Sequence, residues 1–186
     1  MRVSFNKTTK LAFALMALPF MAVAQEPTAL NDPNIGMTAQ LGGDLAWQVD
    51  VTAGGGQSTI AAVHQSDDAL MLIQVVTMLQ VNPAALSDAE QVEFTTNEFL
   101  EGLCGPFVCG DMSDREYIAI GDRHAWVLET DLGLQDFKGL GLTETIMAAT
   151  TTPQGYMQLF SIHTAPGQSG DLKDELLGAV ASASFK

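Results

Sequence analysis

The sequence predicts an α+β domain: an antiparallel sheet with two packing helices, layered as a sandwich, in the order β-β-β-α-β-β-β-β-α. Three observations lead to this fold class. Apolar and polar residues alternate along several short segments separated by turn residues, which is typical of strands. Two other segments carry apolar residues at helical spacing. Short turns join most of the strands and make neighbours antiparallel, and the helices must bury their apolar stripes on the sheet.

Residues 1–24 have the layout of a secretory signal peptide, which is removed on export. Three basic residues occur early in the segment: Arg2, Lys7 and Lys10. An apolar run over 11–21 follows, and the small-x-small sequence that ends at Ala24 predicts cleavage there. The run is too short for a transmembrane anchor, which needs roughly 20 apolar residues, and no lipoprotein cysteine follows it. We therefore expect a periplasmic or secreted protein with no membrane anchor after cleavage.

The charge of the chain is almost entirely negative. The full sequence has 8 Lys and Arg against 22 Asp and Glu, a net charge of −14. The signal peptide contains three of the basic residues and none of the acidic ones, so its removal leaves 162 residues with a net charge of −17. Such a surface repels phosphates and anionic membranes. The composition excludes nucleic acid as a partner. It leaves a neutral, cationic or metallic partner, or solubility alone as the role of the charge.

The segment 25–43 shows no sustained periodicity and contains prolines, asparagines and glycines, so we predict an extended leader or linker. The α+β domain is predicted over 44–186. Its first strand has apolar residues at every second position: Leu45, Trp47, Val49 and Val51. Glycines at 54–56 turn the chain into a second strand over 58–65. The third strand, 69–79, is apolar on both faces and rich in β-branched residues, which favours a central strand over a buried helix.

Ser87 begins the first predicted helix. Ser87 and Glu90 form a capping box, in which each side chain accepts a hydrogen bond from a backbone N–H at the helix start. One stripe at helical spacing predicts the buried face: Ala89, Val92, Thr96, Phe99, Leu100 and Leu103. Four acidic residues lie mostly elsewhere and predict a solvated face: Glu90, Glu93, Glu98 and Glu101. Gly102 and Gly105 are suited to end the helix.

The clearest hairpin joins strands over 115–120 and 123–130 through Gly121-Asp122, a dipeptide suited to a two-residue turn. Its register predicts three facing pairs: Tyr117 with Trp126, Ala119 with His124 and Ile118 with Ala125. A longer loop over 131–141 and strands over 142–150 and 156–164 follow. Asp171 is a suitable cap for a last helix. The apolar stripe of that helix consists of Leu172, Leu176, Ala179, Val180 and Ala183.

This layout resembles the α/β/α sandwich of the PsbP-like and DcrB-like proteins. The shared features are Trp47 in an opening strand, the helix from Ser87 to Leu103, the late hairpin strands, and a closing helix that ends at Ser184-Phe185. They cover nearly all of the chain that follows the signal peptide. The sequence departs from many such bacterial proteins because it lacks a lipoprotein cysteine. The resemblance implies a non-enzymatic binding, assembly or accessory role, and it transfers no functional residue.

Cys104 and Cys109 are the two cysteines of the chain. Export to an oxidising compartment favours a disulfide between them, worth about 2 kcal/mol in the chain-entropy model because the closed loop is short. A redox pair is the alternative, since Cys-Gly-Pro is similar to thioredoxin-type active sites. The spacing disfavours this alternative: four residues separate the cysteines rather than two, and the pair follows a helix rather than a strand.

No catalytic or metal-binding motif occurs in the sequence. It lacks the G-x-S-x-G elbow, the H-E-x-x-H pair and the phosphate-binding loop. The three histidines lie on separate predicted strands with no motif linking them: His64, His124 and His163. The acidic loops at 67–68 and 111–114 lack calcium-loop spacing. We therefore assign no catalytic residue, no metal ligand and no cofactor.

Tyr117, His124 and Trp126 share one face of the predicted hairpin, and this face is either core or a binding surface. The leading hypothesis is an exported accessory or binding protein without catalytic activity, which binds a protein or small ligand through an acidic domain. Two alternatives remain open at this point. One is an immunity or chaperone-like protein that masks a basic partner, and the other is a small hydrolase or thiol-redox enzyme.

Overall fold

The computed structural model describes residues 26–42, 45–65, 70–79, 89–108, 114–130, 139–170 and 172–186, with only the backbone described over 104–108. Several sequence predictions lie outside these residues and stay predictions: the signal peptide 1–24, the caps at Ser87 and Asp171, and most of the loop 131–141.

Ten strands and two helices lie in the described ranges. The strands are β1 (Thr28–Asp32), β2 (Met37–Leu41), β3 (Gln48–Gly54), β4 (Gln57–Gln65), β5 (Leu70–Met78), β6 (Glu116–Ile120), β7 (Arg123–Thr130), β8 (Glu144–Thr151), β9 (Met157–Thr164) and β10 (Ser184–Phe185). The helices are α1 (Ala89–Val108) and α2 (Leu172–Ser182). Neither helix of the described part is both long and apolar enough to cross a bilayer.

The strands form two antiparallel sheets. The large sheet has the order β3-β4-β5-β9-β8-β7-β6, and the small sheet has the order β1-β2-β10. The small sheet and α2 cover one face of the large sheet, while α1 packs against β7 and β8 on the opposite face. The result is an α+β layered sandwich, as the sequence predicts.

The main core lies between the large sheet and the layer formed by the small sheet and α2. Phe160, Ile146 and Ile73 are almost completely buried there, and α2 contributes the predicted stripe at helical spacing: Leu172, Leu176, Ala179 and Val180. Strand β9 is buried along its whole length because it lies near the middle of the sheet, with layers on both faces. This strand, rather than β5, is the most completely covered one.

The predicted leader or linker over 25–43 differs from the structure, which places β1 and β2 in this segment. Asp32 is buried and accepts hydrogen bonds from the backbone and side-chain nitrogens of Asn34, at 2.9 and 3.0 Å. Gly36 completes the turn at φ +65°, a conformation that glycine adopts without strain. The turn residues that suggested a linker therefore form a hairpin whose Leu30 and Met37 are buried in the main core.

The end of the chain also differs from the prediction. Helix α2 ends at Ser182, and Phe185 pairs with Met37 of β2 instead of closing the helix. Arg123 holds this end in place, because its guanidinium lies 5.5 Å above the Phe185 ring. The same guanidinium donates to the backbone oxygen of Thr151 and, at 3.0 Å, to Oε1 of Gln158.

Helix α1 is longer than predicted and continues through Gly102 and Gly105 to Val108. A glycine inside a helix costs only about 1 kcal/mol, so neither position has to end it. The centre of the predicted stripe is correct, since Thr96 and Leu100 are buried. At the end of the stripe, Leu103 is 43% exposed.

Candidate binding groove

The β6–β7 hairpin places the three predicted site residues on one face of the large sheet. Its register pairs Tyr117 with Trp126 and Ala119 with His124, as the sequence predicts. Gly121 makes this turn possible at φ +59°. Because side chains alternate along a strand, Tyr117, His124 and Trp126 all point to the side on which α1 packs.

The three rings contact one another. The Tyr117 and Trp126 ring centroids are 5.2 Å apart with a tilt of 39°, and the Tyr117 and His124 centroids are 5.5 Å apart in a stacked arrangement. Trp126 donates from Nε1 to the backbone oxygen of Glu93 on α1, at 2.9 Å, and packs against the cluster around Leu100. Tyr117 and Trp126 are half-buried and His124 is exposed. The face is therefore the rim of a small core with one side open to solvent.

Arg115 lies over the outer end of this aromatic face. Its guanidinium carbon is 5.5 Å from the Trp126 ring centroid, a distance at which a ring face attracts a cation. Arg115 donates from Nε to Oδ1 of Asn97 at 2.7 Å and from Nη2 to Oε1 of Glu101 at 2.7 Å. One tryptophan face, one amide and one carboxylate thus hold an internal guanidinium on this surface.

The surface between α1 and the hairpin is called here the α1 groove. Its residues on the helix side are Glu90, Glu93, Phe94 and Asn97, and its residues on the hairpin side are Tyr117, His124 and Trp126. It contains two cavities. One of about 290 Å³ lies between Trp126 and the helix. One of about 270 Å³ lies between Tyr117, Arg123, His124 and the β8–β9 turn. Phe94 on the helix side is 66% exposed.

The helix side of the α1 groove is acidic, whereas Arg123 lines the cavity on the hairpin side. Glu90 and Glu93 are exposed, and no basic side chain of the described residues forms an ion pair with either. Burial raises the pKa of Tyr117, and the nearby charge of Glu93 raises it further. Tyr117 therefore stays neutral at physiological pH, and its ring face can contact a cation.

The other sequence candidates give no second site in the described part of the chain. Cys109 and the Cys104 side chain lie outside the described residues, so the disulfide stays a prediction. The three histidines lie on different strands, β4, β7 and β9. Among the residues that the structure describes, no three His, Cys, Asp or Glu side chains are grouped so as to hold a metal ion.

One buried polar cluster was not anticipated from the sequence. His163 is fully buried, with Thr145 Oγ1 at 3.0 Å from Nδ1 and Ser161 Oγ at 3.0 Å from Nε2. Burial lowers the pKa of His163 to about 4, which makes it a weak base near neutral pH. Ser161 is 2% exposed, so substrate has no access to this serine–histidine pair in the structure. The cluster completes the hydrogen bonding of a buried imidazole.

The chain matches no protein-family model and no curated protein sequence. In structure it is similar to the cyanobacterial PsbP (CyanoP) of Synechocystis sp. PCC 6803, with 13% identity and a TM-score of 0.47 over 92% of this chain and 99% of that one. It is also similar to LpqN of Mycobacterium tuberculosis, which is involved in cell envelope biogenesis. Here the identity is 12% and the TM-score 0.40, over 87% and 91% of the two chains.

Proposed function

We propose that this protein is an exported, non-catalytic binding or accessory protein, and that its α1 groove binds a cationic group of its partner. One observation carries the proposal: the surface already binds the guanidinium of Arg115 through the Trp126 face, Asn97 and Glu101. Next to it, Tyr117, Glu93 and Glu90 offer the same kinds of group.

The overall charge supports a cationic partner over an anionic one. With a net charge of −17 after signal cleavage, the protein attracts cations at a distance and speeds their encounter. Long-range attraction gives little selectivity, so the selectivity must come from the ring faces and carboxylates of the groove. A protein that masks a basic partner would use the same surface, so it is a special case of this proposal.

Acetyl-arginine amide and its neutral isostere acetyl-citrulline amide test the proposal. Both have the same shape, and only the first is a cation. Trp126 is one of only two tryptophans in the sequence, and the other, Trp47, is buried. We expect the arginine probe to shift the indole N–H signal of Trp126 in an NMR titration at low ionic strength and the citrulline probe to shift it much less.

Three variants localise the effect. Tyr117→Leu and Glu93→Gln should weaken binding of the arginine probe, because they remove a ring face and a carboxylate of the groove. Glu98→Gln is the matched control, since Glu98 lies on the same helix, is exposed and lines neither cavity. Equal binding of both probes, or an equal loss in the Glu98 and Glu93 variants, would contradict the proposal.

Export is tested separately. We expect N-terminal sequencing of the exported protein to start at Gln25, because the small-x-small site ends at Ala24. A start elsewhere, or retention of the apolar segment, would contradict the predicted processing.

A further inference from the structure

Strand β6 is an edge strand of the large sheet. It pairs with β7 on one side only, and no described strand pairs with its other side. Ala119 in the strand is exposed and Tyr117 is half-buried. An edge of this kind presents unpaired backbone N–H and C=O groups, to which an extended segment can add as a further strand.

A second pocket adjoins the same edge on the opposite face. This edge pocket has a volume of about 270 Å³ and is lined by Asp114, Glu116, Ile118, Val127, Glu129 and Lys173. Within this pocket, the carboxylates of Glu129 and Glu116 both act on the ammonium group of Lys173. Lys173 donates to Glu129, and no basic side chain in the described ranges lies at ion-pair distance from Glu116.

The two faces of β6 thus repeat one arrangement. On the α1 side, Arg115 is held by Glu101 and Trp126, with Glu93 and Glu90 nearby. On the α2 side, Lys173 is held by Glu129, with Glu116 nearby. Each face holds one internal cation and has acidic side chains next to it.

We infer that β6 is the docking edge for an extended basic segment of a partner protein. Successive side chains of an added strand point to opposite faces, so two adjacent basic residues would reach both pockets. One would enter the α1 groove and the other the edge pocket. The half of this inference that concerns the α1 groove rests on the function proposed above, and the half that concerns β6 and the edge pocket does not.

The acidic side chains at the β6 edge favour a basic segment over a second copy of this chain as the added strand. Pairing of β6 with β6 of another copy would bring Glu116 and the other edge acids of both chains together, and opposed like charges destabilise strand pairing. Acids on an edge strand can also serve only to prevent such pairing. This protective role predicts that no peptide adds to β6, so the two interpretations differ in an experiment.

Three short, threonine-rich, capped peptides provide the test. The first has two adjacent arginines, the second has the same composition with the arginines two positions apart, and the third is the first with alternate backbone amides N-methylated. In a strand, the adjacent arginines reach both faces of β6 and the spaced arginines reach only one. One additional charge pair at a surface is worth up to about 1 kcal/mol, so we expect the adjacent peptide to bind about fivefold more tightly.

Protein variants show whether an arginine of the peptide occupies the edge pocket. Glu116→Gln should reduce the affinity for the adjacent peptide to about that for the spaced one, while the affinity for acetyl-arginine amide should not change. Asp50→Asn is the matched control, because Asp50 is an exposed acid on β3 at the other edge of the sheet. N-methylation should abolish the advantage of the adjacent peptide, since it removes the donors that pair with the edge.

The outcomes separate this inference from the proposed function. If the spaced or N-methylated peptide binds as tightly as the adjacent one, strand addition at β6 is wrong, although a response to acetyl-arginine amide would keep the proposed function. If acetyl-arginine amide fails to bind while the adjacent peptide depends on Glu116, the proposed function is wrong and the α1-groove half of the inference fails with it. Equal losses in the Glu116 and Asp50 variants would overturn the role of the edge pocket.

Discussion

The two faces of the large sheet differ sharply in how they are packed. Among the described residues, 20 buried residues form one continuous core on the face covered by the small sheet and α2. On the α1 face, the buried apolar cluster has five residues. It lies beside the buried imidazole of His163 and the half-buried rings of Tyr117 and Trp126. Burial of apolar surface is the main source of stability. The first face therefore contributes most of the apolar stabilisation, and the second face contributes less.

The largest expected effect tests this difference directly. Phe160 is fully buried in the main core, so Phe160→Ala should lower the free energy of unfolding by about 3–5 kcal/mol. Leu100→Ala, in the small cluster under α1, should cost about 2 kcal/mol, because the helix packs mainly against β7 and β8 and can move to fill the space. Urea denaturation measures both values.

Leu140→Ala serves as the control, since Leu140 is 59% exposed and surface substitutions usually change stability by less than about 0.5 kcal/mol. If Leu100→Ala lowers the free energy of unfolding as much as Phe160→Ala does, the two faces stabilise the protein equally and do not differ as their packing indicates.

The next effect is a pH dependence that originates on the α1 face. Burial lowers the pKa of His163 to about 4, whereas an unfolded histidine titrates near pH 6.5. Between these pH values His163 binds a proton in the unfolded chain but not in the folded chain. The stabilisation that the neutral, buried His163 provides is therefore complete above pH 6.5 and is lost as the pH falls toward 4. The loss amounts to about 3 kcal/mol.

Thermal denaturation of His163→Gln against the unmodified protein isolates this contribution, because carboxylates titrate equally in both. The stability difference between the two proteins should shrink as the pH falls from 6.5 to 4. A stability difference between His163→Gln and the unmodified protein that does not change with pH would show that His163 is not the source of this pH dependence.

The hairpins illustrate what the sequence can predict. Gly121-Asp122 determines both the turn and the register of β6 and β7, so the pairing of Tyr117 with Trp126 follows from the turn and strand pattern alone. The β1–β2 hairpin had a comparable signal, since Met37, Ala39 and Leu41 alternate and all three are buried. Turn residues lie on both sides of this short run, so the alternation is too short to indicate a strand and the segment is predicted to be a linker.

Other features depend on contacts between distant parts of the chain. Strand β10 has only two residues, and it forms because Phe185 meets Met37 and the Arg123 guanidinium. Local propensity contains no information about such contacts. The placement of α1 over β7 and β8 is of the same kind. The aromatic face could thus be predicted, whereas Glu93 and Phe94, which complete the groove from the helix, could not.

A smaller effect is the coupling between the two rings of the groove. Tyr117 and Trp126 form a facing pair at 5.2 Å, and such cross-strand pairs contribute about 0.2–1 kcal/mol. A double-mutant cycle with Tyr117→Leu, Trp126→Leu and the double variant measures this coupling, free of the hydrogen bond from Trp126 to Glu93, which cancels in the cycle. A coupling above this range would place the pair among the main determinants of stability and weaken the contrast between the faces.

The substitution with the smallest expected effect on stability is at Phe94, and it best distinguishes a loss of binding from a loss of folding. Phe94 is 66% exposed and lines the α1 groove. Phe94→Ser should therefore change the free energy of unfolding by less than about 0.5 kcal/mol. It should weaken binding of acetyl-arginine amide two- to fivefold, since a ring contact with a cation contributes about 0.5–1 kcal/mol at an exposed site.

Val49→Ser is the matched control, because Val49 is 38% exposed on β3 at the opposite edge of the large sheet. It should leave both stability and binding almost unchanged. An exposed phenylalanine has no role in the main core, so a loss of binding without a loss of stability would assign it to the ligand. If Phe94→Ser lowers stability by as much as Leu100→Ala, then Phe94 packs against the fold in solution and the α1 groove is part of the core rather than a binding surface.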